Sequence, residues 1–145
     1  MYVGVVLVPE LKLPSMPHLG SGINFEYKGR TVLATPSLKE GNFSVIDMET
    51  WETIKSIETL GPGFFMRSHK HTNYAWVDVF FGPNKDAMHV IDKRTLEIVK
   101  TPRPAPGKTA AHVEFTRDGQ SALLSTVDPA GPEIVYDTAP PAQRK

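Results

Sequence analysis

Five residue positions in this 145-residue chain carry side chains suited to binding or proton chemistry in glycine-rich surroundings: His18, Arg67, His69, Lys108 and His112. Two of these, with a further histidine, crowd into one stretch, Gly61–Asp78 (GPGFFMRSHKHTNYAWVD), where Arg67, His69 and His71 stand between an apolar pair and an alternating aromatic run. Arg67 and His69 share one face of an extended segment, because side chains alternate with period two. An arginine fork there reads as a carboxylate clamp or as a surface cation beside a turn. His69 and His71 are spaced to chelate a metal from a strand, but no third ligand is near them in sequence, which speaks against zinc. His18 lies in P-H-L-G, where a loop histidine can serve as an axial ligand, a proton donor or an anion contact, or simply bond to backbone. His112 alternates with Glu114 in AHVEF and either faces inward to an open channel or is a satisfied interior histidine. Lys108 follows a proline-rich loop, KTPRPAPGK, read as a linker or as a rim for acidic groups. His71 and Lys70 fall at a turn and are read as solvent-exposed.

The elements that must position these residues are short strands. Apolar runs such as INFEY, FSVID, YAWVDVF, MHVIDK and IVYDT alternate with turn residues every eight to twelve positions, and no helical periodicity persists. The runs repeat. SVIDMETWETIKSIE matches HVIDKRTLEIVKTPR, and IVYDTA opens a third copy, so Asp47, Asp92 and Asp137 follow one another at intervals of 45 residues. Each aspartate can cap a hairpin turn through its own backbone two residues on. A second hairpin precedes each copy: INFEYKGRTVLAT, MRSHKHTNYAWVD and VEFTRDGQSALLST. Two hairpins make four strands, and four strands in about 45 residues is the blade of a β-propeller. The expected fold class is therefore all-β, a partial propeller of about three blades over residues 1–138, with 139–145 (APPAQRK) as a disordered tail. Tyr2–Val8 is expected as a strand. Tyr74, Trp76, Asp78 and Phe80 are assigned to one mainly apolar face of a strand and Ala75, Val77, Val79 and Phe81 to the other, as for a strand between stacked sheets. Three blades do not close a ring, which needs about four to eight. The chain is thus expected either to be part of a larger propeller with earlier blades or to complete its ring by oligomerising.

Bulk properties narrow the function classes. Sixteen basic and sixteen acidic residues give a net charge of zero, so there is no electrostatic case for nucleic acid. The absence of cysteine excludes disulfides, thiol catalysis and the C-x-x-C-H haem attachment motif. Neither a signal peptide nor a run long enough to span a bilayer is legible. There is no P-loop, dinucleotide fingerprint or nucleophile elbow.

The lead-in loops of the three repeats, PHLGSGINF, GPGFFMR and APGKTAAHVEF, together resemble the haem d1-binding eight-bladed propeller family of cytochrome cd1 nitrite reductase and its relatives in haem d1 biosynthesis. PHLGSGINF is similar to the reductase's P-H-x-G-R-G-x-N-F segment, and GPGFFMRSH, DVFFGP and PAPGKTAAHVEF look closest to NirF-type biosynthesis proteins. The repeats are also of the YVTN type. The resemblance covers roughly Pro14 to Thr138, as the C-terminal part of the propeller. It implies haem d1 or a precursor as cofactor, held in the channel with His18, Arg67, His69, Lys108 and His112 near the ring. It implies a catalytic role for His18, which matches a distal-pocket histidine of the reductase. It also implies a periplasmic, denitrification-linked protein, with other biosynthesis proteins or nitrite reductase as partners. Ser21 stands where the reductase motif has arginine, and His112 where it has glutamine. The rival expectations are a nitrite reductase d1 domain and a non-enzymatic YVTN-type scaffold for protein interaction.

Overall fold

The computed structural model describes residues 11–13, 16–138 and 141–143; the valine-rich Tyr2–Val8 segment lies outside them. Its twelve strands form three antiparallel four-stranded meanders. The first blade is β1 (Ile23–Tyr27), β2 (Arg30–Pro36), β3 (Asn42–Asp47) and β4 (Thr53–Glu58). The second is β5 (Met66–Ser68), β6 (Tyr74–Asp78), β7 (Met88–Asp92) and β8 (Glu97–Lys100). The third is β9 (Ala110–Phe115), β10 (Ser121–Thr126), β11 (Ile134–Thr138) and β12 (Pro141–Gln143). The tail expected to be disordered from residue 139 thus contributes an outer strand, which pairs Gln143 with Tyr136 and Pro141 with Thr138. Pairing there covers the outer hydrogen-bonding edge of β11, which an Ala/Pro-rich composition does not advertise.

Two of the repeated aspartates, Asp47 and Asp92, act as turn caps. Asp47 Oδ1 accepts from the backbone N–H of Glu49 at 2.8 Å and of Thr50 at 3.1 Å, and Asp92 Oδ1 accepts from Arg94 N–H at 2.8 Å. The N–H groups of Trp51 and Leu96 close the same turns onto the carbonyls of Asp47 and Asp92, each at 2.8 Å. Both residues take the left-handed conformation, with φ of 58° and 57°. One 45-residue repeat therefore reproduces a whole turn, down to an unusual backbone angle.

Two apolar cores join the blades. Val32, Ala34, Phe43 and Val45 of the first blade meet Met66, Ala75, Val77 and Ile91 of the second. Trp76, Met88 and Val90 on the opposite face of the second blade meet Val113, Ala122, Leu124 and Tyr136 of the third. Strand β6 thus splits by parity, with Ala75 and Val77 on one side and Trp76 on the other, as its alternation predicts. Trp76 is fully buried and packs edge-on against Tyr136, with ring centroids 5.3 Å apart. The first strand of each blade lies on the inner side, where β5 contacts both β1 and β9.

His89 fastens the linker between the first two blades. It is buried, its Nε2 accepts from Leu60 N–H at 3.1 Å, and its Nδ1 therefore carries the proton and donates to Thr101 Oγ1 at 2.9 Å. Burial, with Arg103 nearby, pushes its pKa down to about 4, so the ring is neutral.

Because Trp76 fills the space between two sheets, Trp76→Ala should destabilise the protein by about 3–5 kcal/mol. Val99→Ala, on the exposed outer strand β8, should change stability by less than about 0.5 kcal/mol. Denaturant unfolding of the two variants compares them directly.

Candidate functional site

The site is built on a buried carboxylate. Asp78 ends β6 and is 1% exposed. Its Oδ1 accepts from the backbone N–H of Phe64 at 2.6 Å and of Phe65 at 3.1 Å. These bonds hold the loop leading into β5. The loop runs very close to β6 at Gly63, where an added Cβ would sit 2.8 Å from the Asp78 carbonyl oxygen and 3.2 Å from Pro36; only glycine allows this approach. Burial raises the Asp78 pKa to about 6, against the opposing pull of the two N–H groups and the nearby His18.

The loop so anchored turns the Phe64 carbonyl toward the first blade. That oxygen lies 2.5 Å from His18 Nδ1 and also accepts the Ser21 hydroxyl. A carbonyl only accepts, so Nδ1 bears the imidazole proton and Nε2 bears the lone pair. Ser21 Oγ is also 2.8 Å from Nδ1. Among the described residues nothing hydrogen-bonds to His18 Nε2. This arrangement, one ring nitrogen fixed by a backbone carbonyl and the other open, suits a metal ligand or proton acceptor.

Aromatic rings surround it. Phe64 lies 4.3 Å from the His18 ring, 4.6 Å from Phe65 and 5.2 Å from Phe80, centroid to centroid. From the third blade, His112 lies over Phe65 at 4.0 Å with 35° between the rings. His112 reaches this place through a β-bulge. The β9–β10 register runs Leu124 with Val113 and then Ser125 with Ala111, leaving His112 as the extra residue, with φ of 53°. A bulge re-aims one side chain out of the pleat, and His112 is exposed accordingly. His18 and His112, from lead-in regions of different blades, thus flank the Phe64–Phe65 pair.

The other sequence candidates are placed differently. Arg67 Nε lies 4.0 Å from Glu114 Oε1 on the neighbouring inner strand β9, a loose and exposed pairing. Lys108 is ion-paired with Asp128 at 2.8 Å, tying two loops of the third blade. His69 sits beyond β5 at the other end of that strand from Phe65. Its ring packs on buried Gly119, where an added Cβ would fall 2.2 Å from Nδ1, and His71 N–H donates to that nitrogen at 3.2 Å. His71 and Lys70 are exposed at the turn, as expected. Among the described residues no three His, Asp or Glu side chains are placed to hold a metal ion.

Three contributors escaped the sequence reading. Asp78 was assigned to an apolar face. Counted from the repeated aspartates through the β2–β3, β6–β7 and β10–β11 pairings, it stands where the other blades have Pro36 and Ser125. That lone ionisable residue in register was the available signal. Ser21 was weighed only as a missing arginine, and Phe64–Phe65 only as an apolar pair.

Comparison with known proteins bears on this geometry. The family model for the cytochrome D1 heme domain matches residues 6–143. The chain belongs to the cytochrome D1 heme domain family. It is 55% identical over 130 residues to dihydro-heme d1 dehydrogenase of Pseudomonas aeruginosa, covering 90% of this chain and 26% of that protein. It is 30% identical over 123 residues to Protein NirF of the same organism, covering 81% of this chain and 29% of that protein. The chain therefore spans about a quarter of the length of the curated relative it matches at 55%. Among solved structures, dihydro-heme d1 dehydrogenase NirN in complex with DHE superposes with a TM-score of 0.91 at 52% identity, covering 95% of this chain and 30% of that one. The Cps50 (Swd1) β-propeller domain of Myceliophteria thermophila superposes at 0.60 with 16% identity, a likeness of fold alone. Membership of the d1 family and kinship with haem d1 biosynthesis proteins stand as expected. Within that group the identity is greater to the dehydrogenase than to NirF.

Asp78 and His89 titrate in opposite senses in this d1 domain. A carboxylate pKa raised to about 6 adds stability that is full below about 3.8 and lost as pH rises through 6. A histidine pKa lowered to about 4 adds stability that is full above 6.5 and lost as pH falls through 4. Between pH 4 and 6 the two trends offset. Asp78→Asn should expose the histidine's loss on acidification, and His89→Gln the carboxylate's gain, each of order 2–3 kcal/mol. Unfolding midpoints measured across this range check the signs.

Proposed function

We propose that this chain forms part of the wall of a tetrapyrrole channel in a haem d1 biosynthesis protein, and that its ligand is dihydro-haem d1. The observation that carries the reading is the fixed tautomer of His18, whose lone-pair nitrogen Nε2 is left open beside the aromatic cluster that His112 caps. The residues suit such a ligand. A flat, largely apolar macrocycle is matched by the rings of Phe64, Phe65 and Phe80, and its iron or a peripheral proton by Nε2 of His18. Its carboxylates are matched by a cation as loosely held as Arg67, while Lys108 is committed to Asp128 and His69 lies at the far end of β5. When bound, the macrocycle supplies the redox centre and the bonds to be oxidised.

The chain's own part is positional. Asp78 holds the Phe64–Phe65 loop, Phe64 sets the His18 tautomer, and the bulge presents His112. The reaction served is the dehydrogenation for which the 55%-identical relative is named: two electrons pass from the macrocycle to a redox acceptor outside this chain, and of the two protons lost one is taken by His18 at Nε2 and the other is released to solvent. The identity to that dehydrogenase favours this over the reductase reading, as does Ser21 in place of the reductase's arginine. The same kinship supports a periplasmic location and contact with other haem d1 biosynthesis proteins as parts of this proposal.

In the intact protein, His18→Ala should shift the Soret band of bound dihydro-haem d1 and weaken its binding by about tenfold, or 1.4 kcal/mol. His18→Gln should restore neither. An unchanged spectrum and affinity in His18→Ala would remove the histidine from the site. No spectral change on titrating the unmodified protein would favour the scaffold reading.

A further inference from the structure

At the end of the second blade away from the Phe64–Phe65 loop, the β5–β6 and β7–β8 turns lean against β1 and enclose a cleft of about 570 Å³. Asn24, Phe25, Lys70, Asn73, Lys93 and Arg94 are among its walls. The notable group is Lys93. Its ammonium is half-buried, donates to the His69 carbonyl at 3.2 Å, and lies 6.0 Å from the centroid of the Phe25 ring. Among the described residues it forms no ion pair, and neither does Lys70. Desolvation alone acts on Lys93 and lowers its pKa. Buried charges are ordinarily compensated by an opposite charge, because desolvation is costly otherwise. Arg94 is already committed to Asp92 through Nε at 2.9 Å and a second bond at 2.5 Å. The acidic Glu26 at the cleft is held by Thr31 at 2.6 Å and does not reach Lys93.

We propose that this cleft is a binding site for a small organic carboxylate, whose charged end pairs with Lys93 and whose apolar body lies on Phe25 and Ile23. The mixed lining favours an organic acid over a bare phosphate. A phosphate would use only the cationic side, in a cleft much larger than itself and without a cradle of backbone N–H groups. Lys70 at the open side adds attraction, and the amide of Asn73 supplies a donor to a second oxygen. The site is separate from the histidine cluster and does not rest on the tetrapyrrole reading.

The test is calorimetric titration of the intact protein with succinate and, separately, with inorganic phosphate, at constant ionic strength so that general screening is matched. Succinate should bind saturably with one site, and phosphate more weakly. Lys93→Met, which keeps the stem against Phe25, should weaken succinate by about tenfold or more. Lys70→Ala, an exposed change that leaves the fold alone, should weaken it by about two- to threefold. Loading the protein with dihydro-haem d1 should leave succinate binding unchanged. The proposal is overturned by any of four results: no saturation, equal binding of phosphate, an unaltered affinity in Lys93→Met, or competition by the tetrapyrrole.

Discussion

The candidate site depends on one buried carboxylate. Asp78 is removed from water at the end of the central strand β6, at a cost visible in its raised pKa. In return it takes the N–H groups of Phe64 and Phe65, which a loop passing between blades would otherwise leave unpaired. Everything downstream is a consequence of that grip. The Phe64 carbonyl points to the first blade, His18 donates to it through Nδ1, and Nε2 is the nitrogen left open. The Phe65 ring is turned toward the third blade, where His112 meets it. A single acceptor in the second blade thus sets the positions of side chains contributed by all three.

That arrangement needs blades that do not slide. Each sheet buries side chains against its neighbour, and the second blade does so on both faces. A shift by one residue in β6 would send Trp76 toward the first blade and Ala75 toward the third, so the register is strongly specified. His89 adds a polar fastening at the linker, accepting from Leu60 while donating to Thr101. The blades therefore serve as a frame whose stiffness comes from packing, while the lead-in loops carry the candidate site.

The frame was legible in the sequence because repetition amplifies weak signals. Any one of the short apolar runs is ambiguous, but three aspartates at equal spacing reveal three blades, and the first two, each followed by a turn and a strand, give the strand order within a blade. The inner placement of the His18 and His112 segments followed from the same arithmetic. What stayed hidden depends on contacts between repeats. Asp78 looks like a polar residue at a strand end until the loop it binds is brought beside it. The role of Ser21 depends on a carbonyl 43 residues away. The bulge at His112 leaves no mark, since AAHVEF reads as plain alternation. The strand Pro141–Gln143 was concealed by a composition typical of linkers, and only the edge left open by β11 accounts for it.

The extra residue at His112 also works as a parity reset. Ala110 and Ala111 are both buried, and beyond the bulge Val113 resumes the inward position while Glu114 points out toward Arg67. One inserted residue therefore reassigns inward and outward roles for the rest of β9 while the pairing with β10 continues. A frameshift of this kind, confined to one strand, lets a sheet present a different side-chain sequence at each end without any change in its neighbours. The inner strand can thus change what it shows to Phe65 and Arg67 independently of what it shows to the core.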